Sequence, residues 1–141
     1  MFRVLNVALV AFLALALAGQ AAAAAGKPLK ATNTWRGSVD DEKLKTECPE
    51  NGVITNADDW KKLVKAWKVS DKVPEINFDK ELIVIAVSVG SKLNLTASLD
   101  DKGDLKILGM GTRDIRPGFR YVICSVPNDG VKTVNGKPLK K

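Results

Sequence analysis

The chain has 141 residues, with 22 Lys and Arg against 16 Asp and Glu for a formal net charge of +6, two cysteines and no histidine. The missing histidine excludes Ser-His-Asp and Cys-His hydrolases, His-ligated zinc and an imidazole base at neutral pH. Carboxylate-pair and Ser-Lys chemistry stay formally open, but no motif carries either, so a non-enzymatic protein without cofactor or metal is expected.

Residues 1–25 read as a secretory signal peptide. Arg3 supplies the positive start, residues 7–18 are an unbroken apolar run, and residues 20–25 offer several A-x-A cleavage frames. The apolar run is shorter than the roughly 20 residues a membrane span needs. Export to the periplasm or the exterior is therefore expected, with cleavage near Ala25 and no stable membrane anchor afterwards. Removing Arg3 with the signal lowers the net charge to +5. Lysines and acids alternate along the remainder, so no nucleic-acid partner is expected.

Residues 26–32 are a polar, helix-averse lead, expected to be flexible. Residues 33–141 are expected to form one domain. Its first strand falls at 33–39 with Trp35 inward, and a charged connection follows over 40–50. Asn51-Gly52 is a turn signal ahead of a short apolar piece at 53–55.

Asn56 then places an Asx N-cap before Asp58 and Asp59, acids that complement a helix dipole. Trp60, Leu63, Val64 and Trp67 recur at i, i+3, i+4 and i+7, while lysines fill the opposite side, which predicts an amphipathic helix near 57–68. The paired tryptophans fit a core stripe or a ligand-stacking surface.

After a loop at 70–79, residues 82–89 form a continuous apolar run, the pattern of a central strand buried on both faces. Residues 92–99 alternate, with Leu93, Leu95, Ala97 and Leu99 inward. The acids Asp100, Asp101 and Asp104 surround Gly103 in what reads as a turn, and residues 104–108 return as a hairpin partner. Residues 109–118 read as a long glycine-punctuated loop, 119–126 as another strand, and 131–139 as a tight hairpin about Asn135-Gly136 of type I′. The sum is an α+β domain, mainly antiparallel sheet of about 6–7 short strands with one helix.

Two features carry candidate sites. In an exported chain, Cys48 and Cys124 are expected to form a disulfide, closing a 76-residue loop and constraining the unfolded chain by about 4 kcal/mol. The segment 112–120 holds Arg113, Asp114, Arg116 and Arg120, three of only four arginines after residue 25 in a lysine-rich chain. Arginine suits bidentate carboxylate contacts and interfaces. The segment is thus either a partner-binding loop or one ordered by an internal Asp114–arginine pair.

The order of features from Trp35 to Leu139 resembles the PrcB-like family of protease-complex-inhibitor domains. The residues that carry it are Asn56–Trp67, Pro74 with Asn77–Glu81, the strand ending at Val89-Gly90, and Pro117–Tyr121. Where that family has a Thr-Gly-Gly-Tyr-like segment, this chain has Gly90-Ser91-Lys92-Leu93, which resembles small stand-alone secreted bacterial proteins instead. The resemblance implies an α+β fold and a protein-binding role, and it brings no catalytic residues. The expectation is thus an exported binding module whose partner is another exported or envelope protein. The alternative is a small-ligand carrier with a pocket between helix and sheet.

Overall fold

A computed structural model of the chain describes residues 26–139; the expected signal peptide and its cleavage near Ala25 lie outside the described residues. In chain order the elements are β1 (Lys27–Pro28), β2 (Asn33–Val39), a 3₁₀-helix (Glu42–Glu47), β3 (Val53–Ile54), α1 (Ala57–Trp67), β4 (Glu81–Ser88), β5 (Leu93–Leu99), β6 (Asp104–Gly111), β7 (Phe119–Pro127), β8 (Thr133–Val134) and β9 (Lys137–Pro138). Two sheets form, one in the order β2-β7-β4-β3 and one in the order β1-β5-β6-β8-β9. All pairings are antiparallel except β6 with β8. The α+β, mainly antiparallel architecture is as the sequence predicts. The strand count is higher, because four two-residue strands join the longer ones.

The four-stranded sheet is the middle layer of three. Along β4, Ile83 and Ile85 face α1, while Leu82, Val84 and Ala86 face the second sheet. β7 does the same, with Phe119, Tyr121 and Ile123 on the helix side and Val122, Cys124 and Val126 on the other. A strand buried on both faces cannot alternate in hydropathy, which is why residues 82–89 are apolar throughout.

α1 forms where its local chemistry places it. The Asn56 side chain accepts from the Asp59 N–H at 2.8 Å, and the helix closes at Lys68 in the left-handed region with its N–H on the Val64 carbonyl. Trp60, Leu63, Val64 and Trp67 are all buried. Burying each such side chain is worth about 1.5–3 kcal/mol. Trp60 packs on Trp35 at 5.2 Å between ring centroids and donates its indole N–H to the Pro74 carbonyl.

Three expectations change. The lead at 26–32 is tied down: β1 pairs with β5, Leu29 N–H bonds the Ala97 carbonyl, and Thr32 N–H bonds that of Ser125. A 3₁₀-helix capped by Asp41 occupies part of the charged connection. The loop expected from residue 109 begins only after Gly111. Gly109 belongs to β6, on the face toward β4, where a Cβ would lie 2.9 Å from that of Ala86. Glycine there permits close approach of the two sheets and does not mark a turn. On the outer face of β6, Leu108 and Met110 are exposed. The terminal hairpin forms as expected, with Asn135 and Gly136 both at positive φ between β8 and β9.

The expected Cys48–Cys124 disulfide is absent, since both cysteines are free. The layering explains it. Cys48 packs with the helix-side core and Cys124 with the core between the sheets, so the middle sheet separates them. Burial pushes the Cys48 thiol up to about 11, only partly offset by nearby Lys45. Cys124 is 8% exposed, its Sγ 3.6 Å from Thr34 Oγ1. Thiol titration of unreduced protein in denaturant should therefore find two thiols per chain. In the native state both should label slowly: Cys48 because at pH 8 a thiol titrating near 11 is only about one part in a thousand thiolate, and Cys124 because it is buried. A count of zero in denaturant would restore the bridge.

Candidate functional site

The layering also determines where charged side chains can gather. Even-numbered residues of β2 and β7 direct their side chains to the face that carries the second sheet. The second sheet leaves the β2 end of that face open. There Arg36 from β2 and Arg120 from the start of β7 meet Ser91 and Lys92 just ahead of β5 and Asn94 within it. Together with Ser38 they line an open groove of about 560 Å³ whose lining, among the described residues, contains no carboxylate.

Both guanidinium groups are fixed at one nitrogen. Arg36 Nη1 donates to the Leu93 carbonyl at 2.9 Å. Arg120 Nη2 donates to the Pro117 carbonyl at 2.7 Å, and its Nε is buried without a hydrogen-bond partner among the described residues. A buried cationic donor without a partner is costly, of the order of 1–3 kcal/mol or more.

Beside the groove, the segment 112–118 is ordered from within. The Asp114 carboxylate accepts from the Thr112 hydroxyl, from Ser91 N–H at 3.1 Å and from Arg116 Nε at 3.1 Å. The Thr112 hydroxyl, followed by the Ser91 N–H, holds the Asp114 carboxyl well below the usual carboxylate range. Arg116 also donates its backbone N–H to the Val89 carbonyl at 2.9 Å.

The four residues named in the sequence therefore separate. Asp114 and Arg116 form the internal pair, Arg120 enters the groove, and Arg113 is exposed without a side-chain partner among the described residues. Arg36 and Lys92 were not among them. Arg36 did carry a signal, as the one arginine after residue 25 outside the 113–120 cluster.

The pocket expected between helix and sheet does not form at the tryptophans. Trp60, Trp67, Phe119 and Tyr121 fill that space, with Trp67 stacked on Tyr121 at 5.3 Å and edge-on to Phe119 at 5.2 Å. Both indole N–H groups are used, on the Pro74 and Leu44 carbonyls. The two tryptophans are core, and the room a carried ligand would need there is taken.

The turn acids are likewise engaged in structure. Asp100 accepts from the backbone N–H of Lys102 and of Asp104, each at 2.9 Å. Asp104 accepts from Thr133 Oγ1 and Gly136 N–H, and the Gly136 bond is the larger cause of its lowered pKa. Among the described residues no group of three or more Cys, Asp or Glu is placed to hold a metal ion, and no helix is long and apolar enough to cross a membrane. Comparison with protein-family models, curated proteins and solved structures finds no match for the chain.

Proposed function

We propose that this protein is an exported, non-catalytic binding domain that receives an anionic stretch of another envelope or extracellular protein in the groove of Arg36, Lys92 and Arg120. The observation that carries the reading is the convergence of three cations from three separate parts of the chain on one groove with no carboxylate in its lining. Two of them are held by backbone carbonyls before any ligand arrives, so less side-chain freedom is lost on binding. Export rests on the signal-like residues 1–25, and a protein partner accords with the PrcB-like resemblance. A binding role is favoured over catalysis by the absence of histidine and by the Ser91 hydroxyl, which sits against the Thr112 hydroxyl at 3.3 Å.

Polyglutamate serves as the probe. Reversing two groove charges with Arg36→Glu/Lys92→Glu is expected to weaken its binding about tenfold or more, measured by titration calorimetry at low salt. Lys61→Glu/Lys65→Glu makes the same change in net charge on the exposed side of α1. That pair should change affinity by less than about twofold. Equal losses from the two pairs would reduce the effect to overall charge and overturn the groove assignment.

A further inference from the structure

We propose, resting on the groove reading above, that the partner segment docks as an added strand on the free edge of β2, with acidic side chains directed into the groove.

The direction of each backbone group on β2 follows from bonds further into the sheet. Ile85 N–H bonds the Gly52 carbonyl, so odd-numbered residues of β4 direct their main-chain groups to β3 and even-numbered ones to β7. Asn128 N–H on the Lys80 carbonyl agrees with this. β4 pairs even with even residues of β7, which leaves the odd-numbered groups of β7 for β2. β2 answers with its own odd-numbered residues, Asn33, Trp35, Gly37 and Val39. The N–H and C=O groups of Thr34, Arg36 and Ser38 therefore point away from the sheet. Among the described residues β2 is an edge with no further strand beside it, and all three residues are exposed. Such an edge is a template for another extended chain.

The same parity joins the edge to the groove. A residue paired directly opposite Arg36 on an added strand directs its side chain to the same face as Arg36. Cross-strand Cβ atoms lie about 4.5–5.5 Å apart, within reach of a carboxylate–guanidinium contact. Two residues along, the occupant faces Ser38, whose cross-strand neighbour on β7 is Arg120. Serine is short, so an acidic side chain set there reaches over it toward the second guanidinium. An extended segment with acids at alternate positions thus satisfies the edge and the cations together. A second copy of this chain does not: edge-to-edge pairing about Arg36 would set that arginine against its own counterpart.

The test uses a blocked octapeptide of four Thr-Glu repeats, titrated into the protein at low salt. In the proposed pairing the glutamate N–H groups face β2 and the threonine N–H groups face away. N-methylation at the glutamate nitrogens should weaken binding at least about tenfold, whereas N-methylation at the threonine nitrogens should leave it within about threefold. A Thr-Lys octapeptide should not bind. On the protein side, Ser38→Pro removes an outward-facing N–H without breaking a bond to β7, a substitution that strand edges accept. It should weaken binding of the parent peptide about tenfold while far-UV circular dichroism stays unchanged. If Ser38→Pro does not fold, the pair of methylated peptides still decides.

Equal affinities for the two methylated peptides would overturn strand addition and leave the groove reading standing. So would failure of the parent peptide to bind protein that still binds polyglutamate. Retention of polyglutamate by Arg36→Glu/Lys92→Glu would remove the groove reading itself.

Discussion

Trp67→Ala is expected to cost about 3–5 kcal/mol of folding stability, the range for deleting a large buried aromatic side chain. Against a typical total of about 5–15 kcal/mol, that is a large share of what holds such a domain together. The indole is 3% exposed at the end of α1. It stacks on Tyr121, meets Phe119 edge-on, and donates to the Leu44 carbonyl at 2.8 Å, fastening the 3₁₀-helix to the core. Removing it leaves a cavity against β7 and frees that carbonyl at the same time. Trp67→Phe separates the two effects: it retains most of the ring and loses the bond, for an expected cost of about 1–2 kcal/mol. Urea unfolding followed by circular dichroism measures both. At about 4 °C per kcal/mol, the alanine variant should also melt roughly 12–20 °C lower. A loss below about 1 kcal/mol for alanine would mean that α1 does not dock on the sheet through this residue.

What was legible in the sequence was what neighbouring residues decide among themselves. Asn56 and the stripe from Trp60 to Trp67 specify α1 because capping and helical spacing act within a few turns. Asn135-Gly136 specifies its hairpin because positive φ at both positions is a local requirement. The apolar run of β4 announces a strand covered on both sides, although not what covers it.

What was not legible depends on which face of which strand a residue occupies. Two cysteines in an exported chain read as a bridge by composition. Cys124 lies on the far side of the sheet from Cys48, and only the register and strand order reveal that. Gly109 reads as punctuation, yet it lies in a strand, because the need for a missing side chain comes from Ala86 on another sheet. The groove is the clearest case. Arg36 meets the backbone of Leu93 across 57 positions of sequence, and Arg120 joins them from a third strand. The local pair that the sequence could offer, Asp114 with Arg116, is the one that turns out to be internal.

The dependence of the groove on long-range placement leads to the second large effect. Gly118 stands between Pro117, whose carbonyl holds Arg120, and Phe119, which begins β7 opposite Val39. Its φ is +69°, and a Cβ built on it would lie 2.1 Å from the Val39 carbonyl oxygen and 2.9 Å from the Asp40 Cα. Both obstacles are backbone, and no side chain can swing aside to admit the methyl group. Gly118→Ala therefore combines a left-handed backbone penalty of about 1–2 kcal/mol with an overpacking cost of about 1–3 kcal/mol. Gly136→Ala isolates the first component, since its φ is +80° with nothing within 4 Å of the added carbon. Equilibrium unfolding should thus place Gly136→Ala about 1–2 kcal/mol below the parent, and Gly118→Ala a further 1–3 kcal/mol or so lower. Polyglutamate binding should follow the same division, because only Gly118→Ala displaces the carbonyl that holds Arg120 and the end of β2 that borders the groove. Equal costs at the two glycines would mean that the chain at 117–119 yields to the methyl group. The Pro117 carbonyl would then be a yielding anchor, and Arg120 could not be held ready for an anion.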